Sequence, residues 1–528
     1  MTSIPFLPLA VAVAATAWMA PPPGENPSPT DPPVANSLDP ELVRQHKHLS
    51  ARIQQLWDKQ DIAAARKLLE ELLELHRKMY PASLFPHGHI HTVYCYRDLF
   101  RASHRLGDVD GQLKWSKEAL DMGRQLFPKD QFPHGHLELA AVVTNVGTAY
   151  HSKGVYEEWR THAHGAVDML WLLYSKSPSR DLAQAIVAAA ANIGATYIAH
   201  GRYREAADFL EGFLSRCENE FDRVGYRPRH PLFTTCLLYF GRAQRLLGDY
   251  HPALCSITEC YRICLPQFLI QRSSEWNRRL VDTLFEAAVI HRELGELALS
   301  RRLFEVTFDK IAVLQTDPLY RSLYQEQVIC QLLLVAASDG RIDEVMYYRD
   351  VLAKLIPAPS TSGIDFDGRS SRAAALLELG NAFHGTGDFE TAERLYVACL
   401  EMCHDLFSST HQHVGHPKTV TAHCCLGRLY EDMGNYEKAS VHYQLALSLA
   451  RSLFPRTKYP DGHHMVSTVL QNAATHLWLV GETESAAAMY REALEMNERL
   501  YSREEYPAGH EDLRRTYTSW AGVLAREG

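Results

Sequence analysis

The chain has 528 residues, 46% apolar and 22% charged, with 54 basic against 63 acidic residues and a net charge of −9. This is the profile of a soluble globular protein with ample core material, about three or four domains by length alone. The acidic balance excludes a general binder of nucleic acid or anionic membrane, which would carry a basic excess or stripe. Of the 54 basic residues 40 are Arg, the side chain suited to planar, bidentate recognition of carboxylates.

Residues 1–20 hold an apolar run, Ile4 to Ala20, with a small-x-small pattern at Ala15-Thr16-Ala17. A Pro-rich stretch over 21–40, containing PPPGENPSPTDPPV, follows it. The pair reads as a secretory signal peptide and a disordered linker. The run is too short and too Pro-interrupted for a membrane span, so none is expected in the mature chain. Export is the expectation. The absence of Lys and Arg before the run, and Met19 as an alternative start, keep a cytoplasmic location open. The eleven cysteines include no C-x-x-C pair and do not form the framework of a small secreted scaffold.

From Leu42 onward the sequence is periodic. A turn glycine stands at Gly107, Gly154, Gly201, Gly248, Gly295, Gly340, Gly387, Gly434 and Gly481; each step is 47 residues except 295→340, which is 45. The frame around it is constant: LGDYHPAL, TGDFETAERLY, MGNYEKASVHY, HGRYREAADFL. Small residues follow at five positions after the turn (Ala65, Ala206, Ala253, Ser300, Ala392, Ala439, Ala486) and precede it by seven (Gly147, Gly194, Gly241, Ala288, Gly380, Gly427, Ala474, Ala521). Ala119, Ala166, Ala446 and Ala493 stand twelve after it. Such spacing lets two helices approach closely on either side of a tight turn, and the glycine supplies the positive φ that ends the first helix. A second marker keeps the same period. LFPHGHI, LFPKDQFPHGHL, LFPRTKYPDGHHMV and LYSREEYPAGHEDL place His89, His136, His463 and His510 after a glycine, with His416 in VGHP. Leu-Phe-Pro should end one helix and x-Gly-His should open the next, because Pro cannot continue a helix.

Each unit is therefore a helical hairpin of two helices of roughly 18 residues, near 27 Å long each. The signature fades between Gly295 and Gly340. IPAPSTSGIDFDGRSS then replaces the usual junction, so an irregular loop is expected over 356–371. It divides an N-terminal block, 41–355, from a C-terminal block, 372–528. The chain runs on into one more first-type helix, Glu511 to Glu527, that would cap the last apolar face.

This pattern resembles the tetratricopeptide repeat, with the small residues in its Gly/Ala slots, and the 47-residue unit is most similar to repeats of the kinesin-light-chain type. The resemblance covers about Leu42 to Gly528. It implies an all-α, right-handed superhelical solenoid of about ten hairpins plus a capping helix. Similar bacterial arrays, some fused to caspase-like CHAT domains, imply a second reading: a regulatory or sensing subunit for a separate peptidase or signalling enzyme.

Candidate chemistry is sparse. The histidine clusters His87/His89/His91, His134/His136 and His411/His413/His416 have the composition of zinc or nickel sites. The Gly-His histidine nevertheless recurs at one register, which a structural role at a helix start explains. Cys260/Cys264 and Cys399/Cys403 are i, i+4 pairs at offsets that hold Ala446 and Ala450 in another repeat; a buried free Cys fills such a slot as a small hydrophobe. Cys424-Cys425 cannot face one way on a helix. No phosphate loop, H-E-x-x-H or G-x-S-x-G motif is present, and Gly385-Thr386-Gly387 belongs to a repeat turn. No catalytic residue, metal site or cofactor is expected.

What remains is the concave surface. The resemblance implies that first helices line a peptide groove, and that asparagines nine before the turn hydrogen-bond a bound main chain. Asn145, Asn192 and Asn472 occupy that position in TNVG, ANIG and QNAA. Tyr239, Glu286, Gln331, Glu378 and Cys425 occupy it elsewhere, so the ladder is discontinuous. Arg97 and Arg101 stand ten and six before one turn, with Arg242 and Arg428 at the six-before position in others. The expected groove set is thus Arg97, Arg101, Asn145, Asn192, Arg242, Arg428 and Asn472. The alternative for these residues is a solvated helix face with local i, i+4 pairing. The expected activity is non-catalytic binding of a protein or peptide partner, as a scaffold or adaptor, without nucleic acid.

Overall fold

The computed structural model describes residues 39–527, apart from 222–232, 313–317, 356–365, 408–416 and 504–510 and positions 60, 154, 200, 201, 272 and 458. The apolar run and most of the Pro-rich stretch, the centre of the expected loop, His411, His413, His416 and His510 therefore lie outside the described residues. Among the described residues there are only helices. They pair in order: α1 (Pro40–Asp58) with α2 (Ile62–Met79), α3 (Ile90–Arg105) with α4 (Val109–Leu126), and α5 (Leu137–Ser152) with α6 (Tyr156–Lys176). Next come α7 (Arg180–Ala199) with α8 (Tyr203–Glu220), α9 (Thr234–Leu247) with α10 (Tyr250–Gln271), and α11 (Ser274–Glu293) with α12 (Leu297–Ala312). The second half pairs α13 (Pro318–Ser338) with α14 (Ile342–Leu355), α15 (Phe366–Gly385) with α16 (Phe389–Phe407), α17 (Pro417–Asp432) with α18 (Tyr436–Leu453), and α19 (His464–Leu479) with α20 (Thr483–Leu500). The expected capping helix is α21 (Glu511–Glu527).

Where the turn glycine is described, the turn inside the hairpin is a two-residue device. Gly434 takes φ +74°; its N–H bonds the Glu431 carbonyl at 2.8 Å and the next N–H, of Asn435, bonds the Tyr430 carbonyl at 2.7 Å. Left-handed geometry ends α17 and satisfies carbonyls that a helix end leaves orphaned. Asn435 then starts α18, its side chain accepting from Lys438 N–H at 3.1 Å. Asp61, Asp108 and Asp388 cap α2, α4 and α16 in the same way. The small residues behave as their spacing requires. Ala65, Ala119, Ala206, Ala253, Ala392, Ala439, Ala446 and Ala493 are fully buried, and Ser300 takes such a slot by donating its hydroxyl to the Ala288 carbonyl at 2.7 Å.

Between hairpins the Gly-His motif is a second cap. His89, His136 and His463 each precede a helix, and each Nδ1 accepts from the backbone N–H two residues on at 3.2 Å. Their rings lie flat, within 5°, on Tyr80, Phe127 and Phe454 at 3.8, 3.8 and 3.5 Å. A second aromatic, Phe85, Phe132 or Tyr459, meets each ring edge-on. The preceding glycine is needed twice over at Gly462. Its φ is +99°, and a Cβ there would sit 2.3 Å from Met496 Cγ.

The array is irregular where the signature fades. α15 packs on α13 and scarcely on α14, leaving Ile342, Met346 and Tyr347 of α14 exposed. The expected loop over 356–371 is also shorter than its composition indicates, because α15 begins at Phe366. Helix α7 is long and apolar enough to cross a membrane, but most of its side chains are buried against α6, α8 and α9.

Candidate functional site on the inner face of the first helices

First helices of adjacent hairpins touch one another along the array, whereas adjacent second helices splay apart. The hairpins thus fan outward, and the first helices α3, α5, α7 and their successors line the inner face. The seven expected residues fall into three environments there.

The first lies in hairpins 2 to 4. Arg97 reaches from α3 to Glu138 on α5 at 2.5 Å, and both side chains are more than four-fifths covered. Arg101 lies over the Trp57 ring of α1 at 4.0 Å and reaches Asp98 at 3.8 Å. Arg101 and Arg97 act to lower the Asp98 carboxyl, but burial outweighs them and raises it above its ordinary range. Burial, with the Glu138 charge second, pushes the Tyr94 phenol to about 12. Asn145 and Asn192 are half-buried, and among the described residues neither amide has a hydrogen-bond partner. Asn192 lines a small, shallow concavity with Thr144, Thr148, Trp159, Ile193 and Thr196; Asn145 follows Thr144 on α5. The Thr144 and Thr148 hydroxyls donate to carbonyls of their own helix, which leaves their lone pairs facing outward as acceptors.

The second environment corrects the sequence reading. Arg242 does not face a groove. It is 7% exposed and bonds Glu286 of α11 at 3.0 Å, while Arg245 bonds the other oxygen at 2.5 Å. Burial acts to raise the fully enclosed Glu286 carboxyl, but Arg245 and Arg242 overcome it and hold it below the usual range. Beside it Tyr324 of α13 donates to Asp282 at 2.9 Å. This lattice stitches three first helices together. The third environment is in hairpins 9 and 10. Arg428 is exposed, and Asn472 is engaged by the Cys424 thiol of α17.

Arg97, Arg101, Asn145 and Asn192 thus fall on the successive first helices α3, α5 and α7, Arg428 and Asn472 on α17 and α19 near the other end of the array, and Arg242 is sealed away. The threonines and Trp159 of the concavity escaped the sequence reading. So did Glu138 and Glu286, the partners of Arg97 and Arg242, although opposite charges spaced 41 and 44 residues apart were a usable signal.

The other chemical candidates take structural places. Cys260, Cys264, Cys399 and Cys403 are buried, with Cys260 Sγ and Cys399 Sγ donating to the Thr234 and Ala373 carbonyls at 3.4 and 3.2 Å. None of the eleven cysteines is in a disulfide. Among the described residues no three His, Cys, Asp or Glu side chains converge on a cation position.

Residues 371–452, hairpins 8 and 9, match the model of the tetratricopeptide repeat family. That segment carries tetratricopeptide repeats. The turn, the small-residue slots and the caps place the other hairpins in the same mould. Among solved structures the chain is similar to BtubC (BKLC) from P. vanneervenii, at 16% identity over 48% of this chain and 92% of that one, with a TM-score of 0.36. It is also similar to the nearly identical TPR-like repeats of a putative kinesin light chain from Podosopora anserina, at 17% identity over 41% and 94% with a TM-score of 0.29. The human IFIT1 dimer with PPP-AAAA aligns at 13% identity over 82% of each chain, with a TM-score of 0.43. No curated protein sequence matches the chain.

Proposed function

We propose that this repeat array is a non-catalytic scaffold that binds an extended segment of a partner protein along α5 and α7. The observation that carries the reading is the pair Asn145 and Asn192. They stand one repeat apart on neighbouring first helices, half-buried, with no hydrogen-bond partner for either amide among the described residues. A primary amide offers a donor and an acceptor, the complement of a peptide unit. The apolar floor of Trp159 and Ile193, with the hydroxyls of Thr144, Thr148 and Thr196 around it, suits a main chain carrying small or apolar side chains. Arg97 and Arg101, held by Glu138 and Trp57, act as framework beside this surface rather than as free cations.

The test is a peptide library displayed on phage and selected on the full chain, with the enriched peptides measured against variants. Asn145→Ala with Asn192→Ala should weaken the selected peptides by at least tenfold, on the scale of a buried hydrogen bond left unmade. Far-UV circular dichroism should stay unchanged. Selected peptides that bind the double variant as tightly as the wild type would place the binding surface elsewhere.

A further inference from the structure

Two contacts join parts of the chain that are far apart in sequence. Arg202, at the turn before α8, stands between the Tyr156 ring at 4.3 Å and the Tyr459 ring at 4.6 Å. Tyr156 belongs to the adjacent hairpin, but Tyr459 lies in the loop that leads into α19. The neighbouring Tyr203 faces His464, the first residue of α19, with ring centroids 5.1 Å apart. Separately, α3 touches α15. Both contacts have the same step: hairpin 2 meets hairpin 8, and hairpin 4 meets hairpin 10. A coil with a fixed rotation per hairpin, having come round once onto itself, gives one constant step. An accidental collision of two segments has no reason to repeat it.

The chemistry at the contact is that of a held joint. The Arg202 guanidinium bonds Glu205 at 2.6 Å, which fixes its plane, and its side chain is 15% exposed. An Arg face between two aromatic rings is a desolvated cation–π arrangement, stronger than the same pair in open water. Burial pushes the Tyr203 phenol to about 12, with Arg245 of hairpin 5 and Asp512 of α21 acting on it from two successive turns. The edges meet in the sense that stacking requires. Arg202 and Tyr203 sit on the turn edge of one coil, and Tyr459 and His464 on the loop edge of the next.

We propose that Arg202 and Tyr203 clasp Tyr459 and His464 to hold successive turns of the coil shut, so that the inner face is a channel reached from its ends. Parting of the clasp is the motion that widens it. The consequence for partners rests on the peptide-binding reading above: the segment taken up is an unstructured chain terminus entering end-on. A loop held at both ends in a folded partner is excluded while the clasp is closed.

The closure itself is tested without a ligand. In the full chain carrying Tyr203→Cys and His464→Cys, a short bismaleimide should link the two positions within one monomer, as read by mass spectrometry of the digest. Tyr203→Cys with Leu479→Cys should not link, because Leu479 lies at the far end of α19, roughly 22 Å along a helix rising 1.5 Å per residue. Absence of the first link, or equal yield of both, overturns the clasp. Arg202→Ala with Tyr459→Ala should increase the radius of gyration in small-angle scattering at unchanged circular dichroism; an unchanged radius shows that these residues do not hold the coil. Should that variant lose helical signal, the cross-link decides alone. A phage-selected peptide then tests entry. Free at one end, it should bind the wild type; closed between two folded domains, it should bind only the opened variant. Equal binding of both forms to the wild type refutes end-on entry and leaves the asparagine test standing.

Discussion

Replacing His136 tests whether the Gly-His motif is a structural cap. In the native chain its Nδ1 accepts from the Glu138 N–H at 3.2 Å, and its ring stacks on Phe127 at 3.8 Å with Phe132 edge-on at 5.7 Å. Losing an N-cap acceptor costs about 1 kcal/mol, within a range of roughly 0.5–2. Losing the aromatic pair costs about 0.5–1.5 kcal/mol more, besides the buried area. His136→Ala should therefore cost about 2–3 kcal/mol. His136→Asn keeps an acceptor and loses the stack; His136→Phe keeps the stack and loses the acceptor. Each should cost about half as much as Ala. Denaturant titration gives the sums, and hydrogen exchange at Glu138 to Ala141 localises them to the start of α5.

The cap also fixes the sign of a pH effect. It needs the neutral ring, because a protonated Nδ1 has no lone pair to offer. Burial lowers the folded pKa of His136 from its ordinary 6.5. The unfolded state then binds the proton more readily, so the contribution of His136 is fully present above pH 6.5 and is lost as pH falls below that value through the folded pKa. Exchange protection at the start of α5 should drop on mild acidification in the wild type and stay flat in His136→Phe. Glu138, whose N–H is capped, also holds Arg97, so fraying there would reach the candidate site. Two half-replacements as stable as the wild type would refute the capping account.

The glycines divide into two kinds with different tolerances. Gly434 needs only its φ of +74°, since a Cβ there meets nothing within 4 Å; Gly434→Ala should cost about 1 kcal/mol in thermal or chemical melts and Gly434→Asn less. Gly380 needs space: a Cβ would stand 2.4 Å from the ring of Tyr396, which is fully buried and bonded to Asn381, so Gly380→Ala should cost about 1–3 kcal/mol despite its better helix propensity. Amides of α14 should exchange about tenfold or more faster than those of α18, because α15 bypasses α14 and leaves its apolar residues in water; equal protection of the two helices would contradict it.

The hairpins were legible because each contact that defines them recurs every 47 residues. The turn glycine, the alanine slots and the Leu-Phe-Pro/Gly-His junction are short-range devices, and repetition separates them from chance. The histidine's partner, by contrast, was hidden in plain composition: Phe127 and Phe132 read as core residues until the ring stack is seen. Closure of the coil had no periodic trace. Arg202 and Tyr459 are 257 positions apart and are particular to two edges of the array, so no repeat-to-repeat comparison brings them together. Likewise the bypass of α14 follows from how three helices share space, not from any one segment's propensity.

The arginines show how far a register argument reaches. By position alone Arg101, Arg242 and Arg428 are equivalent groove residues, with Arg97 one helical turn away from the first of them, and an Arg-rich chain invites that reading. The structure assigns several of these charges to internal work. Arg97 ties α3 to α5 through Glu138, Arg242 and Arg245 tie α9 to α11 through Glu286, and Arg292 ties α11 to α13 through Gln331. Each tie crosses from one first helix to the next, where hairpins must be held at a set rotation. A directional, charge-assisted hydrogen bond, doubled at Glu286 by two guanidiniums, fixes such an angle better than apolar contact, which tolerates sliding. Removing one partner of the enclosed Glu286 group would leave an uncompensated buried charge, so these arginines are not available to a ligand. Between α5 and α7 the open groups include the amides of Asn145 and Asn192, and under the proposed function such a neutral pair suits main chain better than acidic side chains.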